Sequence, residues 1–179
     1  MTKRTFPVDY RTLPIRHDIT SIYEHFFRPA DRDNVKAVVQ YLERNKVEAY
    51  LFGGALRNPN EKNYTDVDLF GVGHPRDVER VSRDLRLHLP GFWDEAMQIE
   101  IGDRLYKFRV NEPKATGGKP HHHLALDRLI LASLHSPVST RAPIDLCLIG
   151  RRDFGMLQSS KQKVYEQWCQ TENNLNKEE

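Results

Sequence analysis

The chain has 179 residues, with 27 Lys and Arg against 25 Asp and Glu for a net charge of +2, so bulk charge does not draw it to a nucleic acid or a membrane. At this length roughly 70% of the unfolded surface can be buried, which suits one domain with a real core. Two cysteines, Cys147 and Cys169, are too few for a disulfide framework; with no signal-peptide h-region and no run near the ~20 apolar residues of a membrane span, a cytoplasmic protein without a membrane partner is expected.

Residues 1–30 hold Pro7, Pro14 and Pro29 among charged and aromatic side chains and read as an N-terminal arm with a short helix near 18–27, after Asp18. A core is expected over 31–160. Asp31 or Asp33 is the candidate cap of a helix in which Val35, Val38, Val39 and Leu42 recur at i, i+3, i+4, i+7. Residues 47–52, VEAYLF, form a short β-branched and aromatic run stopped by Gly53-Gly54. ALRN then opens a short helix before Pro59. TDVDLFGV, 65–72, reads as the next strand. Pro75 suits a helix start, with Val78, Val81, Leu85 and Leu89 as its core-facing stripe to about residue 89.

Residues 97–110 read as two strands about a Gly102-Asp103 turn, followed by the Gly-, Pro- and Lys-rich loop NEPKATGGKPHHH. Leu126, Leu129, Ile130 and Leu134 fit a helix, although LDRLILA also fits a strand. PIDLCLIG, 143–150, reads as a strand, and 161–179 as a C-terminal helix with a frayed tail.

The chemistry is concentrated in LFGGALRNPNEKNYTDVDLFGV, 51–72. Strand alternation puts Asp66, Asp68 and Phe70 on one face and Thr65, Val67 and Leu69 on the other. Two carboxylates held this close raise each other's pKa, a cost that a divalent cation removes, and oxygen-only ligands favour Mg²⁺ or Mn²⁺ over zinc. In the late strand Ile144, Leu146 and Leu148 share one face, with Asp145 and Cys147 on the other. If the two strands are neighbours, Asp66, Asp68 and Asp145 converge into a cluster able to hold two cations for phosphoryl or nucleotidyl transfer. The Gly53-Gly54 turn lets backbone N–H groups approach a phosphate, and Arg57 adds a charge one turn on.

Phe52-Gly53-Gly54, 11 intervening residues and Asp66-Val67-Asp68-Leu69 resemble the DNA polymerase beta-like nucleotidyltransferase superfamily. Its hallmark is an apolar residue with Gly-Gly or Gly-Ser, then Asp-x-Asp or Asp-x-Glu between apolar residues. LFGGALRN with TDVDLFGV is most similar to the catalytic head of CCA-adding enzymes and bacterial poly(A) polymerases, which carry aspartate where this chain has Asn58. Arg151-Arg152-Asp153-Phe154 is similar to the start of a later motif in those enzymes, and Gly155-Met156 does not continue it. The likeness covers roughly residues 33–150.

The resemblance implies an α/β (α+β) fold, a small mixed sheet with helices mainly on one face and the site on the other. The implied enzyme moves a nucleoside monophosphate from an NTP such as ATP to an acceptor hydroxyl on RNA, protein or a small molecule. Asp66 and Asp68 would bind the metals, Asp145 would share one and help deprotonate the acceptor, and Gly53 and Gly54 would hold the β and γ phosphates. The helical neck, body and tail of those relatives are not expected within this length, so a partner subunit is a candidate source of base or acceptor recognition. The rivals are a non-catalytic module of the same fold that binds a nucleotide or a partner, and a toxin-type enzyme that modifies tRNA or protein.

Other features have plainer readings. His121, His122 and His123 are consecutive, point in divergent directions and lack the i, i+4 spacing of a zinc pair. Arg76, Arg80, Arg83 and Arg86 line one side of a helix but alternate with Asp77, Glu79 and Asp84, the pattern of a solvated face. Lys114 and Lys119 read either as a lid over a triphosphate or as ordinary loop residues.

Overall fold

The computed structural model describes residues 12–85, 96–101, 103–111, 130–138 and 140–157. In chain order these form β1 (Leu13–Ile15), α1 (Thr20–Phe26), α2 (Pro29–Arg44), β2 (Glu48–Phe52), α3 (Gly53–Arg57), β3 (Val67–Gly73), α4 (Pro75–Asp84), β4 (Ala96–Ile101), β5 (Arg104–Asn111), β6 (Ile130–His135), β7 (Ile144–Gly150) and α5 (Arg151–Leu157). The strands make one mixed sheet of seven in the order β1-β2-β3-β7-β6-β5-β4. Only β3 and β7 run parallel; every other neighbouring pair is antiparallel.

Period-two alternation divides the sheet into two unlike faces. Val67, Leu69, Leu146 and Leu148 join one cluster with Ile22 of α1, Val35, Val38, Val39 and Leu42 of α2, Ala55 of α3 and Val78 and Val81 of α4. Four helices therefore cover this face, and the fold is α+β with its helices mainly on one side. The other face carries a smaller cluster of Tyr50, Phe70, Val72, Cys147, Ile149 and Phe154. There α5 lays Phe154 against Tyr50 and Phe70, with centroids 4.6 and 5.4 Å apart.

Two local expectations are corrected and one open choice is settled. Neither Asp31 nor Asp33 caps α2, because the helix starts two residues earlier at Pro29, with Arg28 as N-cap; proline suits the first helical position, where its missing N–H costs nothing. Asp33 instead pairs with Arg104 at 3.3 Å on the surface. Helix α4 ends at Asp84 with Leu85 as C-cap, short of the expected residue 89; Leu89 lies outside the described residues. At 130–135 the choice between helix and strand resolves to a strand, since this segment pairs with both β5 and β7.

Residues 13–15 were not anticipated as a strand. They pair with β2, Leu13 opposite Leu51 and Ile15 opposite Ala49, and Pro14 is tolerated because β1 is a sheet edge. The segments 1–11, 86–95 and 112–129, and the expected C-terminal helix, lie outside the described residues. No helix among the described residues is long and apolar enough to cross a membrane.

The start of α2 ties down two loops. Asp31, 1% exposed, accepts from Tyr64 Oη at 2.7 Å, Ala142 N at 2.8 Å and Arg28 Nε at 3.0 Å. Arg141 donates to Asn34 Oδ1 at 2.9 Å. Tyr64 lies just before β3 and Ala142 just before β7, so one buried carboxylate fixes where both strands begin.

Candidate metal and phosphate site

The parallel pair β3–β7 puts Asp68 and Asp145 in register as neighbours. Their position follows from the opposite face: Val67 and Leu69 are 0% exposed and Ile144 and Leu146 each 1%, so alternation turns the intervening carboxylates away from the helices. A one-residue slip of either strand would bury its aspartate and expose its core residues, which is what fixes the register. Asp66, just before β3, projects to the same side. Asp66, Asp68 and Asp145 each offer a carboxylate oxygen within 4.8 Å of the others. The adjacency on which the expected convergence depended is present.

Crowding of like charge marks the cluster. Asp68 is pushed up to about 7, by burial first and then by the charges of Asp66 and Asp145, against the pull of Arg57 and a hydrogen bond from the Gly54 N–H. Asp66 is also raised, chiefly by burial and next by the charge of Asp145 and a hydrogen bond shared with it. Thr65 Oγ1 opposes this weakly from 3.4 Å. Three oxygen donors with this much mutual repulsion form a set that a hard divalent cation fits.

The glycine turn abuts the cluster because β2 runs antiparallel to β3 and ends with Phe52 opposite Asp68. Gly53 has φ +73, and a Cβ there would run into the Asp68 carboxylate, so conformation and space both require glycine. At Gly54 a Cβ would meet only Tyr64 Cβ at 3.6 Å, an ordinary contact. Arg57 closes α3, with its exposed guanidinium in electrostatic reach of Asp68.

Two polar residues beside the site escaped the sequence reading. Ser133, 6% exposed, donates from Oγ to Asp145 Oδ1 at 2.7 Å, and His135 Nε2 lies 3.1 Å from the same Oγ. A signal was available: in a strand, Ser133 is the polar residue between Ala132 and Leu134, which are 0% and 1% exposed. The helical alternative for this segment hid it.

Other candidates serve the fold or fall elsewhere. Arg80 is occupied by Asn45 O at 2.8 Å and Asp77 at 2.8 Å. Cys147 is buried in the smaller apolar cluster with Phe70 and Ile149, which pushes its thiol well up. Arg151, at the C-terminal end of β7 and so far from Asp145, faces Glu48 at 3.6 Å. Arg86, Lys114, Lys119, His121, His122, His123 and Cys169 lie outside the described residues. No protein-family profile, curated protein or solved structure matches the chain.

Proposed function

We propose that this chain is a metal-dependent nucleotidyltransferase that moves a nucleoside monophosphate from an NTP to an acceptor hydroxyl and releases pyrophosphate. The observation that carries the reading is the convergence of Asp66, Asp68 and Asp145 within 4.8 Å beside the Gly53-Gly54 turn. The motif resemblance adds to it.

Asp66 and Asp68 are assigned the cation that accompanies the triphosphate, and Asp145 with Asp68 the cation nearest the acceptor. Bound Mg²⁺ or Mn²⁺ would supply charge neutralisation at the phosphates and a lowered pKa for the attacking hydroxyl. Asp145 is also assigned a part in taking the proton of the acceptor hydroxyl. The Gly53-Gly54 turn is assigned the β and γ phosphates, and Arg57 balances charge at their edge. The acceptor belongs to RNA, a protein or a small molecule, with a partner subunit as one source of its selection. A cytoplasmic setting, where NTPs are at hand and Cys147 stays reduced, goes with this reading.

The test is incubation of the pure chain with each labelled NTP and Mg²⁺, with and without total RNA, in wild type and Asp145→Asn. Transfer by wild type and a loss on the order of 10²-fold in Asp145→Asn, ~3 kcal/mol of barrier, are expected, with Mg-NTP affinity little changed. Mg-NTP binding without transfer to any acceptor would favour a non-catalytic nucleotide-binding module.

A further inference from the structure

The third carboxylate has a support that the proposed reaction leaves unused. Ser133 on β6 is the in-register partner of Asp145 on β7, and its Oγ donates to Asp145 Oδ1 at 2.7 Å. His135, two residues along the same strand face, brings Nε2 to 3.1 Å from that Oγ. A serine hydroxyl has a single hydrogen to give. With that hydrogen committed to Asp145, His135 Nε2 has to donate, so the neutral ring carries its hydrogen on Nε2 and its lone pair on Nδ1.

We propose that His135 and Ser133 are a positioning pair that fixes the Asp145 carboxylate by its Oδ1 and presents Oδ2 as the oxygen for a divalent cation. This rests on reading Asp66, Asp68 and Asp145 as a metal site. The terminal torsion of an aspartate is broad and roughly two-fold, so a carboxylate on a flat sheet face does not hold one orientation by itself. A donor at one oxygen selects the rotamer, and outer partners of this kind commonly change metal affinity ~10–100-fold. The pair orients rather than relays. Both of its hydrogens point toward Asp145, and Nε2 has no lone pair to receive a proton passed along Ser133.

The test uses the full chain. Nitrogen-15 histidine NMR of the metal-free protein at pH about 8.5, above the ordinary imidazole range, should show His135 as the Nε2–H tautomer, the signal being assigned by its loss in His135→Gln. Ser133→Ala should return that ring to a tautomer mixture. In calorimetric titration with Mn²⁺, Ser133→Ala should weaken binding ~10-fold or more, while Ser133→Thr and His135→Gln, which still donate, stay within about twofold of wild type. His135→Phe should fall between these. If Ser133→Ala does not fold, the wild-type tautomer and the two His135 variants decide. An Nδ1–H ring in wild type, or Mn²⁺ affinity unchanged in Ser133→Ala and His135→Phe, overturns the positioning pair and leaves the metal site standing. A wild type that takes up no Mn²⁺ overturns both.

Discussion

At the scale of single residues, Asp68 and Gly53 constrain one another. Asp68 is pushed up to about 7, against an ordinary aspartate value of ~3.9. The metal-free native protein therefore keeps a proton that the unfolded chain loses, so stability falls as pH rises from about 4 to about 7 and then levels. On the proposed reading a bound cation takes the place of that proton. The thermal midpoint in chelator should drop across this window more in wild type than in Asp68→Asn, and Mg²⁺ should remove the difference; equal slopes in chelator would contradict it. Gly53→Ala, forced to φ +73 against the Asp68 carboxylate, should cost roughly 1–3 kcal/mol. Gly54→Ala, with only an ordinary contact at 3.6 Å, should change stability by less than about 1 kcal/mol. Chemical denaturation of the two variants compares them directly, and equal losses would assign the glycines one shared role.

At the scale of elements, α2 does more than cover the sheet. Its buried Asp31 accepts from the segments that precede β3 and β7, so it sets the height at which both strands enter. Asp31→Ala strands a buried backbone N–H and a tyrosine hydroxyl, each costing ~1–3 kcal/mol when unsatisfied. A loss of about 3 kcal/mol in urea unfolding, with an unchanged slope, is the expected result, and a loss below about 1 kcal/mol would show that water replaces the carboxylate. This role could not be read from the sequence, where an aspartate near a helix start looks like a cap. The buried stripe of α2 was legible because Val35, Val38, Val39 and Leu42 obey one period, and β3 and β7 because their apolar residues alternate. Strand β1 was hidden by Pro14 and its three-residue length. Strand β6 was hidden because ILASLH fits either period, and with it Ser133 and His135.

At the scale of the whole molecule, topology assembles the site. Strands β3 and β7 each open with an apolar residue followed by aspartate, Val67-Asp68 and Ile144-Asp145. Their parallel, in-register pairing sets the two carboxylates side by side at one end of the sheet. Strand β2, antiparallel to β3, ends there too and delivers the glycine turn. The sequence displayed each part, but their meeting depended on which strands are neighbours, a long-range property that local pattern does not encode. The central claim is that this meeting point holds divalent cations with a triphosphate. The most direct measurement is anomalous scattering from crystals grown with Mn²⁺ and a non-hydrolysable NTP analogue. The expected result is a manganese peak within about 2.5 Å of carboxylate oxygens of Asp66, Asp68 and Asp145, with the triphosphate beside Gly53 and Gly54. An analogue bound elsewhere, or no manganese among these three carboxylates, would contradict it.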